Sequence, residues 1–252
     1  MAAEKSLAIV LKVVEFSETS CVVTMFTEDF GKVGALAKGA RRPKGPFEGA
    51  IDLLALIRIV FLRKSSEALD LLTEAKLERR FRSAQRELAR LNAGYYVAEL
   101  LTELTERGDP HPALFQAADR TLIAIDSGAP LAETILRFEL TALREVGHLP
   151  LLTACVVCGR PVTPSSRVPF GMIAGGMLCD ECRPGRRGVV SVSSAVIEVL
   201  REASSREGEA PAEPAVQPAI RGELRAVMNN YVAHLIGHRL RTSDLLSGAT
   251  NQ

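Results

Sequence analysis

Four cysteines constrain this chain more than any other feature. Cys155-Val-Val-Cys158 is followed, after twenty intervening residues, by Cys179-Asp-Glu-Cys182. A tetrahedral zinc ion takes four ligands, with thiolate sulfurs about 2.3 Å from the metal. One Cys-x-x-Cys turn brings two thiolates to a common point, and a second such turn completes the shell at the interval expected of a four-cysteine site. Gly159 stands where the first knuckle must turn sharply, and Pro161 and Pro164 stiffen its exit. Residues 168–173 and 177–178 flank Ala174-Gly175-Gly176, a pattern that predicts a short hairpin carrying the second knuckle toward the first. The competing readings are a redox dithiol, a disulfide pair and coincidence. A thioredoxin-like dithiol needs a single Cys-x-x-Cys beside a βαβ unit, and neither condition is met. Four thiolates leave no open position for water, so the predicted zinc is structural.

The rest of the chain is long enough to give that site a setting. Its 252 residues can bury a sizeable core, divided between two or three small units. Hydrophobic and charged fractions of 47% and 24% are those of an ordinary globular protein. A formal net charge of +1 excludes a global polyanion-binding field, so such contacts must come from local patches. No basic leader precedes an apolar run, and the longest apolar stretch, 51–62, contains Asp52 and Arg58. The expected location is therefore the cytoplasm, where thiols stay reduced. Cys21, inside an apolar run, is expected to be a small core residue.

The first eighty residues alternate apolar runs with turns. Strands are expected over 7–14, 21–26, 32–36, 53–62 and 68–77, with Gly31 supplying a permissive backbone in the turn 27–31. Five such strands predict a small closed barrel, with the five-stranded Greek-key OB type as the natural candidate. Periodicity leaves an SH3-like barrel open.

Beyond Arg82 the period changes. Leu88, Leu91, Tyr95, Ala98, Leu101 and Leu104 recur at three- and four-residue steps and predict one helical face. A second helix is expected over 113–125, and a third carries Leu131, Ile135, Phe138, Ala142 and Val146, the three forming a bundle. After the knuckles come a strand at 189–192 and a short helix at 194–203. The stretch 204–218, rich in Glu, Ala and Pro, is expected to be a flexible excursion. A last amphipathic helix has Ile220, Leu224, Val227, Tyr231 and Leu235 as its inner face, with fraying expected after Leu246. The fold class is thus α+β: an OB-type barrel over 1–80, then a helical domain over 81–252 with an inserted zinc module at 151–188.

Lys38-Gly-Ala-Arg-Arg-Pro-Lys44 places four cations and no acid on a loop between expected strands. A basic loop beside a barrel suits nucleic-acid phosphates, which favour cations through counterion release. Aromatic stacking often accompanies it, and Phe26, Phe30 and Phe47 are the candidates. The alternative is a solvated loop with core phenylalanines. Arg183, Arg186 and Arg187, just past the second knuckle, form another cationic cluster. His238-Arg-Leu-Arg241 ends the last helix, where cations also complement the helix dipole. His148, His234 and His238 are expected to be packing or helix-end residues, because the cysteines fill a zinc shell.

Catalytic signatures are missing. The chain holds no Gly-x-x-x-x-Gly-Lys-Ser/Thr loop, no Gly-x-Ser-x-Gly elbow and no His-Glu-x-x-His pair, and its carboxylates form no recognisable acid/base pair. A binding protein is expected rather than an enzyme.

The chain resembles the bacterial recombination-mediator family RecO over most of its length. The resemblance rests on Arg137-Phe-Glu-Leu140 running through Leu143, Gly147 and Leu149 into Cys155-x-x-Cys158-Gly159, then Gly175-Gly-Met-Leu-Cys-Asp-Glu-Cys182. Phe26-Thr27, Gly31, Ala37-Lys-Gly-Ala-Arg-Arg42 and His238-Arg-Leu-Arg-Thr-Ser243 add to it. It implies an OB fold, a helical domain and a zinc module that together bind single- and double-stranded DNA and anneal complementary strands. It implies RecR as a partner, and the acidic C-terminal tail of the single-stranded-DNA-binding protein as another. RecA would be engaged indirectly, through loading at gaps, at the nucleoid. Lys38, Arg41, Arg42 and Lys44 would contact phosphates, and Arg137 or Arg241 would serve the acidic tail beside an apolar groove. A zinc-stapled protein adaptor with weak DNA contact is the alternative.

Overall fold

The computed structural model describes residues 3–42, 47, 49–64, 68–83, 87–163, 165–205 and 216–249. The chain divides into two compact units, Met1–Ala129 and Pro130–Gln252.

In the first unit, β1 (Ala3–Glu15), β2 (Cys21–Thr27), β3 (Gly31–Ala37), β4 (Leu56–Leu62) and β5 (Asp70–Arg79) close a barrel in the order β1-β2-β3-β5-β4. All pairs are antiparallel except β3 with β5, which run parallel through Ala35↔Asp70 and Ala37↔Leu72. That order, with its crossover, is the OB-type Greek key expected from the sequence. The strand at 53–62 begins later than expected, because Leu54 adopts φ 63° and its N–H donates to the Val10 carbonyl at 2.8 Å.

Alternation fills the barrel. Ala8, Val10, Val23, Met25, Val33, Ala35, Ile57, Ile59, Phe61 and Leu72 point inward and are buried. Cys21 joins them, as expected. Opposite faces of β1 and β2 are also closed over part of their length, since Ile9 and its register partner Phe26 are fully buried. Helices α1 (Leu88–Leu104) and α2 (Pro112–Ser127) cover them, and the Phe26 ring lies 6.1 Å from that of Phe115. Lys32 Nζ donates to the carbonyls of Thr102 and Thr105, both at 2.6 Å, and so caps the C-terminal end of α1. Burial lowers the pKa of this ammonium.

The buried face of α1 differs from the one expected. Ala93, Gly94, Tyr96, Val97, Ala98, Leu100 and Leu101 are buried, so Ala98 and Leu101 of the expected face lie inward whereas Leu88 is 71% exposed. Gly94 explains the rotation: a Cβ there would lie 2.6 Å from Leu54 Cδ1 and 2.9 Å from the Phe81 ring. Close approach at a glycine outranks the leucine period. The expected three-helix bundle is likewise divided, with α1 and α2 in the first unit and the third helix in the second.

The second unit contains α3 (Leu131–Glu145), a small sheet, α4 (Ser194–Ser205), α5 (Pro218–Ile236) and α6 (Ser243–Ala249). The sheet is antiparallel, order β7-β6-β8, from β6 (Arg167–Gly171), β7 (Gly176–Met177) and β8 (Val189–Ser193). The expected hairpin is the β6–β7 pair. The faces expected for α3 and α5 are buried at Ile135, Phe138 and Ala142, and at Leu224, Val227 and Tyr231. Fraying after Leu246 is not seen up to Ala249, since α6 extends through it. Of the 204–218 stretch, 206–215 lies outside the described residues. Val216 is buried, and its N–H donates to Glu133 Oε1 at 3.2 Å.

Candidate metal centre and nucleic-acid interface

Sheet and turn together position the four sulfurs. The first knuckle closes with Gly159 N–H donating to the Cys155 carbonyl at 2.9 Å, and Gly159 holds φ 70°. Cys182 N–H and Arg183 N–H both donate to the Cys179 carbonyl, closing the second. The knuckles are joined through β7: Val156 N–H donates to the Met177 carbonyl, and Met177 N–H to that of Leu151, both at 2.9 Å. Leu151 packs so tightly that a Cβ on Gly176 would sit 2.4 Å from its carbonyl oxygen.

All four Sγ atoms lie within 4.8 Å of one another, and Cys158 and Cys179 Sγ are 3.8 Å apart. The edge of a tetrahedron with metal–sulfur bonds of 2.3 Å is roughly 3.8 Å. The group can therefore hold a metal ion. Burial opposes ionisation of Cys155, but backbone N–H groups at Cys179, Cys158 and Val157 bring its thiol down to about 6. Cys182 is pushed up to about 12, first by the hydrogen bond it shares with Cys179.

Arg160 braces the group from outside. Its Nε donates to Cys158 Sγ at 3.4 Å and lowers that thiol, while both terminal nitrogens hold Glu181, between the cysteines of the other knuckle. Arg183, Arg186 and Arg187 are exposed beside it, with Arg186 Nε donating to the Cys182 carbonyl at 2.8 Å.

In the first unit, the loop after β3 is fastened to the β1–β2 hairpin. Arg41 N–H donates to the Thr19 carbonyl at 3.1 Å, and its guanidinium meets Glu15 at 3.1 Å. Lys38 and Arg42 are exposed and have no ion-pair partner among the described residues. Lys44 lies outside those residues. The phenylalanines require a correction. Phe26 is fully buried against Phe115, Phe47 is 3% exposed in the barrel core, and Phe30 packs edge-on against Phe61. None of them presents a face to a base, and hydrophobic burial accounts for all three.

Residues 1–81 match the family described as Recombination protein O N terminal, and residues 85–244 match Recombination protein O C terminal. The chain belongs to the RecO family. It is 41% identical to the DNA repair protein RecO of Rhodopirellula baltica, across 95% of this chain and 97% of that one. It is 35% identical to that of Anaeromyxobacter sp. (strain K), across 96% and 95%, and 32% identical to that of Myxococcus xanthus (strain DK1622).

This RecO-family chain also has an apolar groove between α3 and α5. Ala132, Leu136, Val216 and Leu224 line it with Arg221 and Arg225. Arg137 and Arg241 are not among the residues that line this groove. Arg137 is half-buried on α3, with one terminal nitrogen shut away from solvent and without a hydrogen-bond partner among the described residues. Arg241 is exposed, before α6. The groove's own arginines escaped sequence reasoning because they share α5 with the apolar positions that drew notice there. Their signal was available: Arg221 and Arg225 fall one turn apart, as Leu224 and Met228 do. No helix of the described residues is long and apolar enough to cross a membrane.

Proposed function

We propose that this chain is a non-enzymatic mediator of recombinational DNA repair. It binds single- and double-stranded DNA, anneals complementary strands, and with RecR helps load RecA on strands coated by single-strand-binding protein. Residues 1–80 form the DNA-binding module and 81–252 carry the partner surfaces, with the zinc module at 151–188. The observation that carries the reading is the exposed Lys38/Arg41/Arg42 loop, held against a closed OB barrel. Such barrels combine a cationic track with stacking platforms on single strands. Arg183, Arg186 and Arg187 offer a second cationic surface in the other unit. The metal is zinc, since four thiolates at tetrahedral spacing suit it, and its closed shell makes it structural. The α3/α5 groove, with Arg221 and Arg225, is a seat for the acidic tail of the single-strand-binding protein. It favours a partner-binding role in parallel.

The test is a titration of labelled single strand at several salt concentrations, with wild type and with Lys38→Ala/Arg41→Ala/Arg42→Ala. Each lost phosphate contact lowers the log–log salt slope by about 0.7 on single strands; Arg41 is already paired with Glu15, so the loss of Lys38 and Arg42 lowers it by roughly 1.4 and any contact from Arg41 adds to that. Wild-type affinity should fall steeply with salt and the variant should show the shallower slope. Equal slopes would remove the loop from the interface, and no wild-type binding at low salt would leave the adaptor reading.

A further inference from the structure

The burial of Phe26, Phe30 and Phe47 leaves one aromatic ring unaccounted for. Phe16 is 65% exposed, and it is the only exposed ring among the nine phenylalanines, three tyrosines and no tryptophan of the chain. It makes no ring contact with any described residue. Its backbone, by contrast, is fixed. Phe16 N–H and Ser17 N–H both donate to the Ser20 carbonyl, at 3.0 and 3.1 Å, closing the hairpin between β1 and β2.

The strand leading to it has the pattern of a platform. Lys12 and Val14 are alternate residues and so share one face of β1, and Phe16 is the next alternate position. Register sets Lys12 beside Thr24 and Val14 beside Val22, with Val22 in turn beside Leu36 of β3. Val14 is 46% exposed, and Val22 and Leu36 are half-buried, so this part of the barrel wall is an open apolar strip. An isolated exposed apolar side chain needs no explanation, but an exposed ring one residue past the end of an open apolar strand face does.

Charge identifies the occupant. The hairpin and the loop fastened to it carry Lys12, Lys38, Arg41 and Arg42 against Glu15 and Glu18, and Arg41 is ion-paired with Glu15. Gly39 N–H lies 3.4 Å from Ser20 Oγ, which with the Arg41–Thr19 bond anchors the cationic loop to the hairpin bearing the ring. An apolar face edged with uncompensated cations fits a base with its phosphates, rather than an uncharged apolar partner.

We infer that Phe16 is a stacking residue for an unpaired nucleobase, seated on the outward face of the β1–β2 hairpin, with Lys12, Lys38 and Arg42 taking the flanking phosphates. The inference rests on the mediator reading above and specifies its single-strand contact. A paired base keeps both faces covered by its neighbours, so this contact selects single strands over duplex.

The absence of tryptophan makes the test direct. Phe16→Trp supplies a unique emitter at the site, and an oligothymidine should quench it in step with binding, whereas a blunt duplex carrying as many phosphates should not. Phe16→Ala should weaken single-strand binding about 5- to 100-fold at fixed salt and leave the salt slope unchanged, because stacking releases no counterions. Its melting curve should match wild type, since an exposed ring contributes little burial. Phe16→Tyr should restore binding and Phe16→Leu should not. Unquenched emission with saturating oligothymidine, or full affinity in Phe16→Ala, would overturn the stacking role while the mediator reading stands. Equal quenching by duplex would also overturn it. A shift in sedimentation of Phe16→Ala with unaltered DNA affinity would make the strip a self-contact instead. Failure of the wild type to bind single strands at all would overturn the mediator reading itself.

Discussion

Glu139 is fully buried on α3 and holds the guanidinium of Arg225, on α5, through both carboxylate oxygens. Arg225 is only 11% exposed and also donates from Nε to Asn229 Oδ1 at 3.0 Å. Replacing Glu139 with Leu removes the buried counter-charge of a guanidinium that little water reaches. Breaking a buried pair from one side costs about 3–5 kcal/mol, whereas replacing both partners with apolar residues is often neutral. Glu139→Leu should therefore lower stability by about 3–5 kcal/mol, and Glu139→Leu/Arg225→Leu should recover most of that. Urea unfolding reads the difference. With m-values of about 1–3 kcal/mol/M, the single variant's midpoint should fall by at least roughly 1 M at unchanged slope. A second readout ties the pair to function. Arg225 also lines the groove, so removing its counter-charge should tighten binding of an acidic peptide there. A single variant within about 1 kcal/mol of wild type, or a double variant as unstable as the single, would refute the pairing energetics.

Two further outcomes bear on the metal module and the barrel. Cys158→Ser should lower bound zinc, measured by elemental analysis, and lower the melting temperature, because metal binding to a site absent from the unfolded chain contributes directly to folding; full metal content and an unchanged melting curve would contradict the four-ligand site. Gly31→Ala should cost more than about 2 kcal/mol by thermal melting, since Gly31 sits at φ 65° and a Cβ would lie 2.1 Å from the Asp109 carbonyl oxygen.

The features most legible in the sequence were those whose chemistry is local. Two Cys-x-x-Cys turns with Gly159 at the bend predict the metal knuckles, because each motif closes by hydrogen bonds within its own turn. Strand alternation is also local, since each strand's inward and outward faces follow from its own period of two. The face of α1 was not legible, since Gly94 serves Leu54 and Phe81, residues brought to it only by the folded barrel. The Glu139–Arg225 pair was also hidden, as the two residues are 86 positions apart.

The aromatic candidates failed for a related physical reason. Phe26 and Phe47 are bulky apolar groups that the core takes up, at 0% and 3% exposure. Phe26 falls on the outward face of β2, where period-two alternation alone would leave it in solvent, and helix α2 covers it with Phe115. Phe16, whose neighbours are Glu15 and Ser17, escaped notice because it lies in the first turn rather than in the basic loop. The barrel register places that turn beside the loop, with Cys21 opposite Ala37 and Arg41 hydrogen-bonded to Thr19. A ring and its cations meet across that pairing, and one-dimensional charge patterning cannot show a pairing between strands.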